Sequence, residues 1–312
     1  MQNNFYWLIY GVVSILIVAS IIGWVLSKKI KTENGKTVVL NLNARIKAWW
    51  IMISIFSLSF FLGKTATIVL FFMISFFALR EFITLTPTKP GDHKALSLAF
   101  FVLLPVQYYL ISIGWYSLFA IFIPVYGFLL LPSLSAISQD PEQFLERTSK
   151  IQWAVMITIY CISHVPALLL LDIPGYKNQG PLLIFFLLTV VQLSDVFQYV
   201  FGKLFGKTKL APAVSPSKTV EGLVGGGLTA IAVGTCMWWI TPFTPLQAAI
   251  MSSVVVIMGF LGGLVLSAVK RSLGAKDWGT MINGHGGMMD RMDSVCFSAP
   301  IFFHLTRYFF TN

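Results

Sequence analysis

The chain is predicted to be an all-α, polytopic integral membrane protein with about nine to ten transmembrane helices. Hydrophobic residues make up 56% of its 312 positions and charged residues only 11%. The mean hydropathy of +0.79 lies above the range of soluble domains. The apolar residues also fall in repeated runs, several of which are long enough to cross about 30 Å of hydrocarbon.

Apolar runs along the chain define ten candidate helices. They cover residues 6–26, 48–62, 66–79, 97–112, 115–132, 151–171, 181–201, 223–241, 246–266 and 294–310. The first run has no basic stretch before it and no small-residue cleavage pattern after it, so we expect a retained helix rather than a removable signal peptide. The second, third and last runs are shorter than the usual span of about 20 residues.

The distribution of positive charge predicts the orientation. Five alternate connections, residues 27–47, 80–94, 133–150, 202–222 and 267–293, hold 19 of the 22 Lys and Arg residues. The other three are Lys64, Lys177 and Arg307. Because Lys and Arg near span ends stay on the cytoplasmic side, we expect these connections in the cytoplasm and both termini outside. The net charge of +10 then reflects topology and attraction to anionic lipids, not nucleic-acid binding.

The chain is predicted to form one continuous membrane domain with an uneven distribution of polar residues. Residues 1–180 are mostly N-terminal transmembrane helices and simple connections. Residues 181–312 form a C-terminal region whose polar loops, 202–222 and 267–293, hold most of the side chains capable of chemistry. We therefore expect the functional site in this C-terminal region.

The loop at 202–222 combines lysines, hydroxyls and glycines. Cations, hydroxyl donors and close backbone approach are what a polyphosphate requires. If the stretch is helical, the Gly202-Lys203 and Gly206-Lys207 pairs share one face. The alternative is a loop whose lysines only fix the membrane orientation. The candidate binding residues are Lys203, Lys207, Ser215, Lys218 and Thr219.

Two acids bracket this loop. An acid at membrane depth is costly unless it is paired or faces water, so Asp195 is a functional candidate, with an ion pair to Lys203 as the alternative. Glu221 is interpreted either as part of the site or as a first-turn acid that favours a helix N-terminus. Gly226 and Gly227 are expected to let two helices pack closely.

The loop at 267–293 contains carboxylates as well as cations. Its ionisable residues are Lys270, Arg271, Lys276, Asp277, His285, Asp290, Arg291 and Asp293. Each charge would cost roughly 2.5–3.5 kcal/mol at the bilayer centre, so this segment must face water. Asp290 and Asp293 share a helical face from which Arg291 turns away, and with Asp277 they offer the hard oxygen ligands that suit magnesium. The alternative for Lys270 and Arg271 is contact with lipid headgroups.

The spacing of these residues resembles a known signature. The patterns S-x-x-K-R-x4-K-D and H-G-G-x-x-D-R-x-D begin at Ser267 and His285, and D-x-x-x-Y-x-x-G-K-x-x-G-K and S-P-x-K-T-x-E-G begin at Asp195 and Ser215. Together they resemble the phosphatidate cytidylyltransferase (CDP-diacylglycerol synthase) family over about the last 120 residues, whereas the first 180 match mainly in being membrane spans. With the Trp49-Trp50 pair, the chain looks more narrowly like an accessory bacterial paralogue of that family.

The resemblance implies a membrane nucleotidyltransferase in phospholipid biosynthesis. Its substrates would be CTP and phosphatidate, its products CDP-diacylglycerol and pyrophosphate, and its cofactor Mg²⁺, with a second cation as an open alternative. Membrane lipids are the implied surroundings, and a homodimer is compatible with the sequence.

Residue roles follow from the same resemblance. Asp290, Asp277 and Asp293 would hold the metal. The catalytic set would be Asp290, Asp277, Lys270, Arg271 and His285, with His285 as an orienting donor. Substrate would be bound by Asp195, Lys203, Lys207, Ser215, Lys218, Thr219, Lys276 and Arg291.

One departure from the family pattern is chemically important. A Gly-Asp pair commonly precedes the S-x-x-K-R element in the family, and its Asp is a metal ligand, whereas this chain has Gly262-Gly263. The alternative function is therefore a catalytically weakened paralogue that binds nucleotide or lipid. A transporter is a further alternative, but the charges gather in loops and not at mid-span, where transporters keep their coupling acids.

Overall fold

The computed structural model describes residues 2–29, 33–281 and 286–311. Each of the ten apolar segments overlaps one helix, so the all-α prediction is confirmed. The helices are α1 (Gln2–Lys29), α2 (Glu33–Leu62), α3 (Lys64–Leu85), α4 (Pro90–Ile113), α5 (Tyr116–Ile137), α6 (Phe144–Leu170), α7 (Gly180–Phe205), α8 (Val220–Cys236), α9 (Pro245–Ser272) and α10 (Met289–Phe310).

The protein is an integral membrane protein with several spanning helices. Among the described residues, eight helices, α1 to α7 and α9, are long and apolar enough to cross a membrane. The other two helices, α8 and α10, do not meet this description. Helix α8 is apolar but has only 17 residues, and the 22 residues of α10 include Asp290, Arg291, Asp293 and Arg307.

Several helices extend beyond the apolar runs that predicted them. Helix α2 begins at Glu33 and α6 at Phe144, well before the apolar positions 48 and 151. A helix satisfies its backbone hydrogen bonds internally, so it can continue from hydrocarbon into water without a change of backbone. The apolar runs therefore marked the membrane-crossing parts of these helices but not their ends.

Three of the spanning helices contain π-helical turns. These lie at Ala99–Leu103 in α4, Phe122–Gly127 in α5 and Met156–Cys161 in α6. Pro105 follows the first turn and Pro124 lies inside the second. Proline removes one backbone donor and clashes with the preceding turn, which locally widens the helix.

Close packing of α7 against α8 positions the polar segment that joins them. A Cβ atom added at Gly226 would lie 2.3 Å from the backbone nitrogen of Gln198, and one at Gly227 would lie 3.3 Å from Val256 Cγ1. Only glycine permits the backbone contact at position 226. The packing interpretation of these glycines is confirmed.

A short antiparallel hairpin joins α7 to α8. Strand β1 (Lys209–Ala211) pairs with β2 (Ser215–Thr219), with Lys209 opposite Thr219. Helix α7 already ends at Phe205, so Lys203 and Lys207 do not share a helical face. The condition for a shared face is thus not met, because the helix ends between the two lysines, where Gly206 precedes the hairpin.

The start of α8 is tied to this hairpin. The Thr219 hydroxyl accepts a hydrogen bond from the N–H of Gly222 at 3.1 Å and caps the helix. The Glu221 carboxylate accepts from the N–H groups of Lys207 and Thr208, each at 3.1 Å. Glu221 therefore acts as a first-turn acid that also fixes the entry to the hairpin.

Candidate active site

An acidic pair lies between α7 and α10. Ser294 links its members, because its hydroxyl donates to Asp195 Oδ1 at 3.2 Å and its N–H donates to Asp293 Oδ1 at 2.8 Å. The two carboxylates interact electrostatically with each other and with Lys218. Within the described residues, the second oxygen of each carboxylate accepts no hydrogen bond. Each acid can therefore still bind a cation or a donor.

Lys218 brings a positive charge from β2 to this acidic pair. Its Nζ donates to the carbonyl oxygen of Phe260 at 3.3 Å and lies 4.6 Å from the centroid of that ring. Burial lowers the pKa of Lys218 below its usual value, and the charge of Lys270 acts in the same direction, whereas Asp195 and Asp293 oppose the shift. Lys218, and not Lys203, is thus the lysine that faces Asp195.

Gly263 of α9 faces the same cluster. A Cβ atom added there would lie 3.0 Å from Lys218 Nζ and 3.3 Å from Ser294 Oγ. A carboxylate at this position would therefore project toward Lys218 and the acidic pair. The departure noted in the sequence falls inside the candidate site.

Asp290 organises the loop that precedes α10. Its Oδ1 accepts from Lys270 Nζ at 2.7 Å, and both side chains are largely buried, with 7% and 11% of their surfaces exposed. Its Oδ2 accepts from the N–H groups of Trp278 at 2.8 Å and Gly287 at 2.9 Å. A carboxylate offers about four acceptor positions, so Asp290 retains little capacity for a further ligand.

Glu81 of α3 also holds this loop, and the sequence-based prediction did not include it. Its two carboxylate oxygens accept from the N–H groups of Met288 and Met289, each at 2.9 Å. These donors lie at the N-terminus of α10, where a negative charge is favourable. The signal available in the sequence was an acid beside an apolar run, but its partners lie more than 200 residues away.

Trp278 packs the same loop against α3. Its ring stacks on Phe82 with centroids 4.8 Å apart, and its side chain is only 2% exposed. Together with the Glu81 bonds, this contact fixes the loop to the first half of the chain. The N-terminal helices therefore support the candidate site directly.

The three charged residues at the start of α10 face inward. Asp290 and Asp293 both interact with Lys270, as expected for positions that share a helical face. Arg291 was expected to turn away from the face that Asp290 and Asp293 share, and that expectation stays a prediction. Its guanidinium interacts electrostatically with Asp195 of α7, and its Nε is buried.

Several predicted site residues lie at the periphery. Lys203, Lys207, Arg271, Lys276 and Asp277 are exposed, and Lys203 lies 6.0 Å from the centroid of the Tyr199 ring. Arg271 donates to the carbonyl oxygens of Val214 at 3.5 Å and Ala275 at 3.4 Å, which joins the two polar loops. Ser215 begins β2. His285 lies outside the described residues.

The carboxylates provide a test of whether the site fits magnesium. No group of three or more His, Cys, Asp or Glu side chains in the described ranges is placed to hold a metal ion. Asp277 lies exposed in the segment before α10, and its role as a metal ligand stays a prediction. The pair of Asp195 and Asp293 nevertheless fits Mg²⁺, which commonly takes one or two carboxylates and completes its ligands with phosphate oxygens and water.

Carboxylates and lysines gathered at the ends of membrane helices define an integral membrane protein with a site suited to a polyphosphate and a metal ion. The chain belongs to the cytidylyltransferase family, whose sequence profile matches residues 43–309. The family resemblance carried by the motifs is confirmed. Helix α1 precedes the matched region.

Individual relatives extend this assignment. The chain is 37% identical to the uncharacterized protein YnbB of Escherichia coli (strain K12) over 296 residues, which cover 95% of this chain and 96% of that protein. It is 31% identical to the phosphatidate cytidylyltransferase of Staphylococcus haemolyticus (strain JCSC1435) over 251 residues, covering 77% of this chain and 89% of that protein. The phosphatidate cytidylyltransferase of Aquifex aeolicus (strain VF5) is 36% identical over 139 residues, covering 44% and 52%.

Proposed function

We propose that this protein is a phosphatidate cytidylyltransferase, which converts CTP and phosphatidate to CDP-diacylglycerol and pyrophosphate in phospholipid biosynthesis. The observation that carries the proposal is the acidic pair of Asp195 and Asp293 facing Lys218. Two carboxylates can hold a metal ion, and a lysine can bind phosphate. The site therefore offers the two kinds of group that bind a nucleoside triphosphate together with its metal ion. Two relatives carry the name of this activity.

The reaction transfers a cytidylyl group. A phosphate oxygen of phosphatidate attacks the α-phosphorus of CTP, the bond from that phosphorus to the bridging oxygen of the β-phosphate breaks, and pyrophosphate leaves. The attacking oxygen is already ionised near neutral pH, so the protein needs no strong general base. Catalysis then consists of positioning and of stabilising negative charge.

Cations from both polar loops would stabilise that charge. Lys218 and Lys270 lie beside the acidic pair and would contact the phosphates most directly. Arg271 joins the two loops, so its position depends on both. The exposed Lys203, Lys207 and Lys276 would attract the anionic nucleotide from solution. Ser215 in β2 would orient the phosphates by hydrogen bonding.

Magnesium fits the remaining acceptor capacity of the acids. Asp293 and Asp195 would hold it, and Asp290 could add only the acceptor position that Lys270 leaves on its Oδ1. When bound, the ion would offset the negative charge of the phosphates. Asp293 would also keep Lys270 oriented, and Ser294 would keep the two acids apart.

The proposed orientation places this site in the cytoplasm, where CTP is available. The positive-inside distribution supports it, since 19 of 22 Lys and Arg residues lie in the connections on one side. If all ten helices cross a bacterial inner membrane, both termini lie outside. The catalytic groups then belong to residues 181–312, and residues 1–180 act as a scaffold to which Glu81 contributes.

A direct assay tests this function. Purified protein incubated with labelled CTP, phosphatidate in mixed micelles and Mg²⁺ should form labelled CDP-diacylglycerol, and Asp195→Asn should remove the product. Glu146→Gln is the matched control, because Glu146 only forms an exposed ion pair with Lys150. Absence of product from the parent, under conditions in which the Aquifex aeolicus enzyme forms it, would contradict the proposal.

Gly263 favours one alternative, a paralogue that binds nucleotide or lipid with little turnover. The same assay separates the two functions when Gly263→Asp is included. The added side chain meets only the flexible end of Lys218 and the Ser294 hydroxyl, so the variant should fold. A silent parent that gains turnover in Gly263→Asp supports the weakened paralogue, whereas an active parent excludes it.

A further inference from the structure

A cavity of about 370 Å³ lies among the ends of α3, α4, α6 and α10. Lys64, Lys177 and Arg307 all line it. These are the three cations that the sequence places outside the five positively charged connections. Residues that are rare on that face of the protein thus converge on one cavity.

The cavity and the candidate active site lie at opposite ends of the same helices. Lys64 begins α3, whereas Glu81, which holds the active-site loop, lies near its other end. At 1.5 Å per residue the two positions are roughly 25 Å apart along the helix. Helix α10 shows the same separation between Asp290 and Arg307. The cavity is therefore a separate site.

Arg307 is held in a defined orientation in the cavity wall. Its guanidinium carbon lies 3.6 Å from the centroid of the Tyr116 ring, and the Tyr116 hydroxyl lies 3.5 Å from His304 Nδ1. Stacking on an aromatic face fixes the plane of a guanidinium and leaves its N–H edge free to bind an anion.

The charge of this cavity is not balanced from within the protein. Among the described residues, Lys64, Lys177 and Arg307 take part in no ion pair. Asp172 is the acid in the lining. Three positive charges against one negative charge attract an anion.

The rest of the wall is largely apolar. It includes Leu110, Phe119, Ala167, Leu169, Leu170, Leu171 and Phe303. Lys64 begins α3, Arg307 lies in the last turn of α10, and Lys177 lies in the connection between α6 and α7. At the ends of membrane helices the headgroup region meets the hydrocarbon. An anionic group joined to an apolar chain matches this combination better than a free inorganic anion does.

We propose that this cavity binds the phosphate-bearing headgroup of a membrane lipid on the face opposite the candidate active site. Arg307 binds the phosphate through its N–H edge, and Lys64 and Lys177 add charge at the cavity mouth. The apolar wall takes the first part of the acyl chains. This site does not depend on the reaction proposed for the other end of the molecule.

Binding of dioctanoyl phosphatidylglycerol to the purified full-length protein in detergent tests the proposal. Arg307→Gln should weaken binding by about tenfold, the loss expected for a charged hydrogen bond. Lys64→Gln/Lys177→Gln should also weaken it, by about threefold. The matched control is Lys94→Gln/Lys150→Gln, which removes two positive charges at the other end, one exposed and one paired with Glu146, and should bind as the parent does.

Binding of two further ligands shows whether the cavity prefers a lipid headgroup or a free anion. Inorganic phosphate and zwitterionic dioctanoyl phosphatidylcholine should each bind more weakly than the phosphatidylglycerol. Phosphate that binds as tightly and loses affinity in Arg307→Gln would overturn the lipid assignment in favour of a soluble anion. Unchanged phosphatidylglycerol binding in both the arginine and the double lysine variants would overturn the site itself. The double variant keeps the test valid if Arg307→Gln does not fold, because Lys64 and Lys177 are exposed.

Discussion

Two clusters of charged side chains lie partly or fully buried among the helices, and they differ in how completely their charges are satisfied. In the first, the Arg147 cluster (Arg147, Asp92 and Asp140), the guanidinium donates to Asp92 at 3.2 Å and to Asp140 at 2.8 Å. It also donates to the carbonyl oxygens of Glu142 at 2.6 Å and Asp140 at 3.2 Å. The second oxygen of Asp92 accepts from the N–H of Lys89 at 2.9 Å.

The acidic pair of Asp195 and Asp293 contrasts with this arrangement. Each of its carboxylates accepts one hydrogen bond from Ser294, and the facing Lys218 donates to a carbonyl oxygen and not to an acid. Buried charges are costly unless they are paired and hydrogen-bonded. The Arg147 cluster, whose charges are paired and fully hydrogen-bonded (a saturated cluster), therefore joins connections between helices. The acidic pair, whose carboxylates keep free acceptor positions (an unsaturated cluster), retains capacity for a ligand.

The largest expected effect is the loss of activity when a charge is removed from the acidic pair. Asp293→Asn should lower kcat/KM for CDP-diacylglycerol formation by about 10²–10³-fold, because it removes a charge that would hold the metal. Its melting temperature should equal or exceed that of the parent, since the repulsion between two partly buried acids is relieved. Asp140→Asn is the matched control and should show the reverse pattern, with activity kept and stability reduced. Activity within threefold of the parent would place the reaction elsewhere.

The next largest effect is on stability at the saturated cluster. Arg147→Met leaves the buried Asp92 without its charge partner, and breaking a buried ion pair typically costs about 3–5 kcal/mol. The unfolding transition, followed by circular dichroism in detergent, should shift to lower denaturant concentration. The folded fraction should keep the parent's kcat/KM. Normal stability with lost activity would mean that the Arg147 cluster serves the reaction and that saturation does not distinguish the two clusters.

The smallest effect is a pH dependence at Lys218. Because burial lowers its pKa in the folded protein, Lys218 loses its proton at a pH below the usual value of about 10.4. Affinity for CTP should then fall by up to roughly tenfold as pH rises through the folded pKa. Equilibrium binding of CTP between neutral and alkaline pH measures this decline. Lys218→Arg, which stays charged, should remove it, and identical curves for the two proteins would exclude Lys218 from phosphate binding.

The lowered pKa of Lys218 also makes the stability of the folded protein depend on pH. The folded protein binds fewer protons than the unfolded chain between the two pKa values of Lys218, so its stability rises with pH through that window. The cost of burying the ammonium is fully present below the folded pKa. Lys218→Met should therefore be more stable than the parent at neutral pH, and the difference should shrink toward the unfolded pKa.

Local patterns were sufficient for the helices and for part of the site. Apolar runs located all ten helices because a segment in hydrocarbon must satisfy its backbone bonds internally. The spacing of Asp290 and Asp293 predicted one shared helical face, and α10 places both beside Lys270. The motifs also located the polar loops that meet through Lys218 and Arg271.

Sequence patterns could not show which of the predicted side chains come together in the site. Asp277 and Asp290 lie in one motif, yet Asp277 is exposed whereas Asp290 is bonded inside the loop. Arg291 and Glu81 likewise depend on which helices pack against α10. Spacing along a chain specifies neighbours within a helix, but not the face that another helix covers.

The sequence by itself determined the membrane helices, the segregation of positive charge and the residue types of a phosphate-binding site, because hydrophobicity and charge act at each position independently of distant partners. Only the tertiary structure decided which charges remain unsatisfied. It placed Lys218 beside Asp195, bonded Glu81 to the start of α10 and gathered three scattered cations around one cavity. Burial and hydrogen bonding depend on contacts between segments far apart in sequence, so these pairings existed only once the helices had packed.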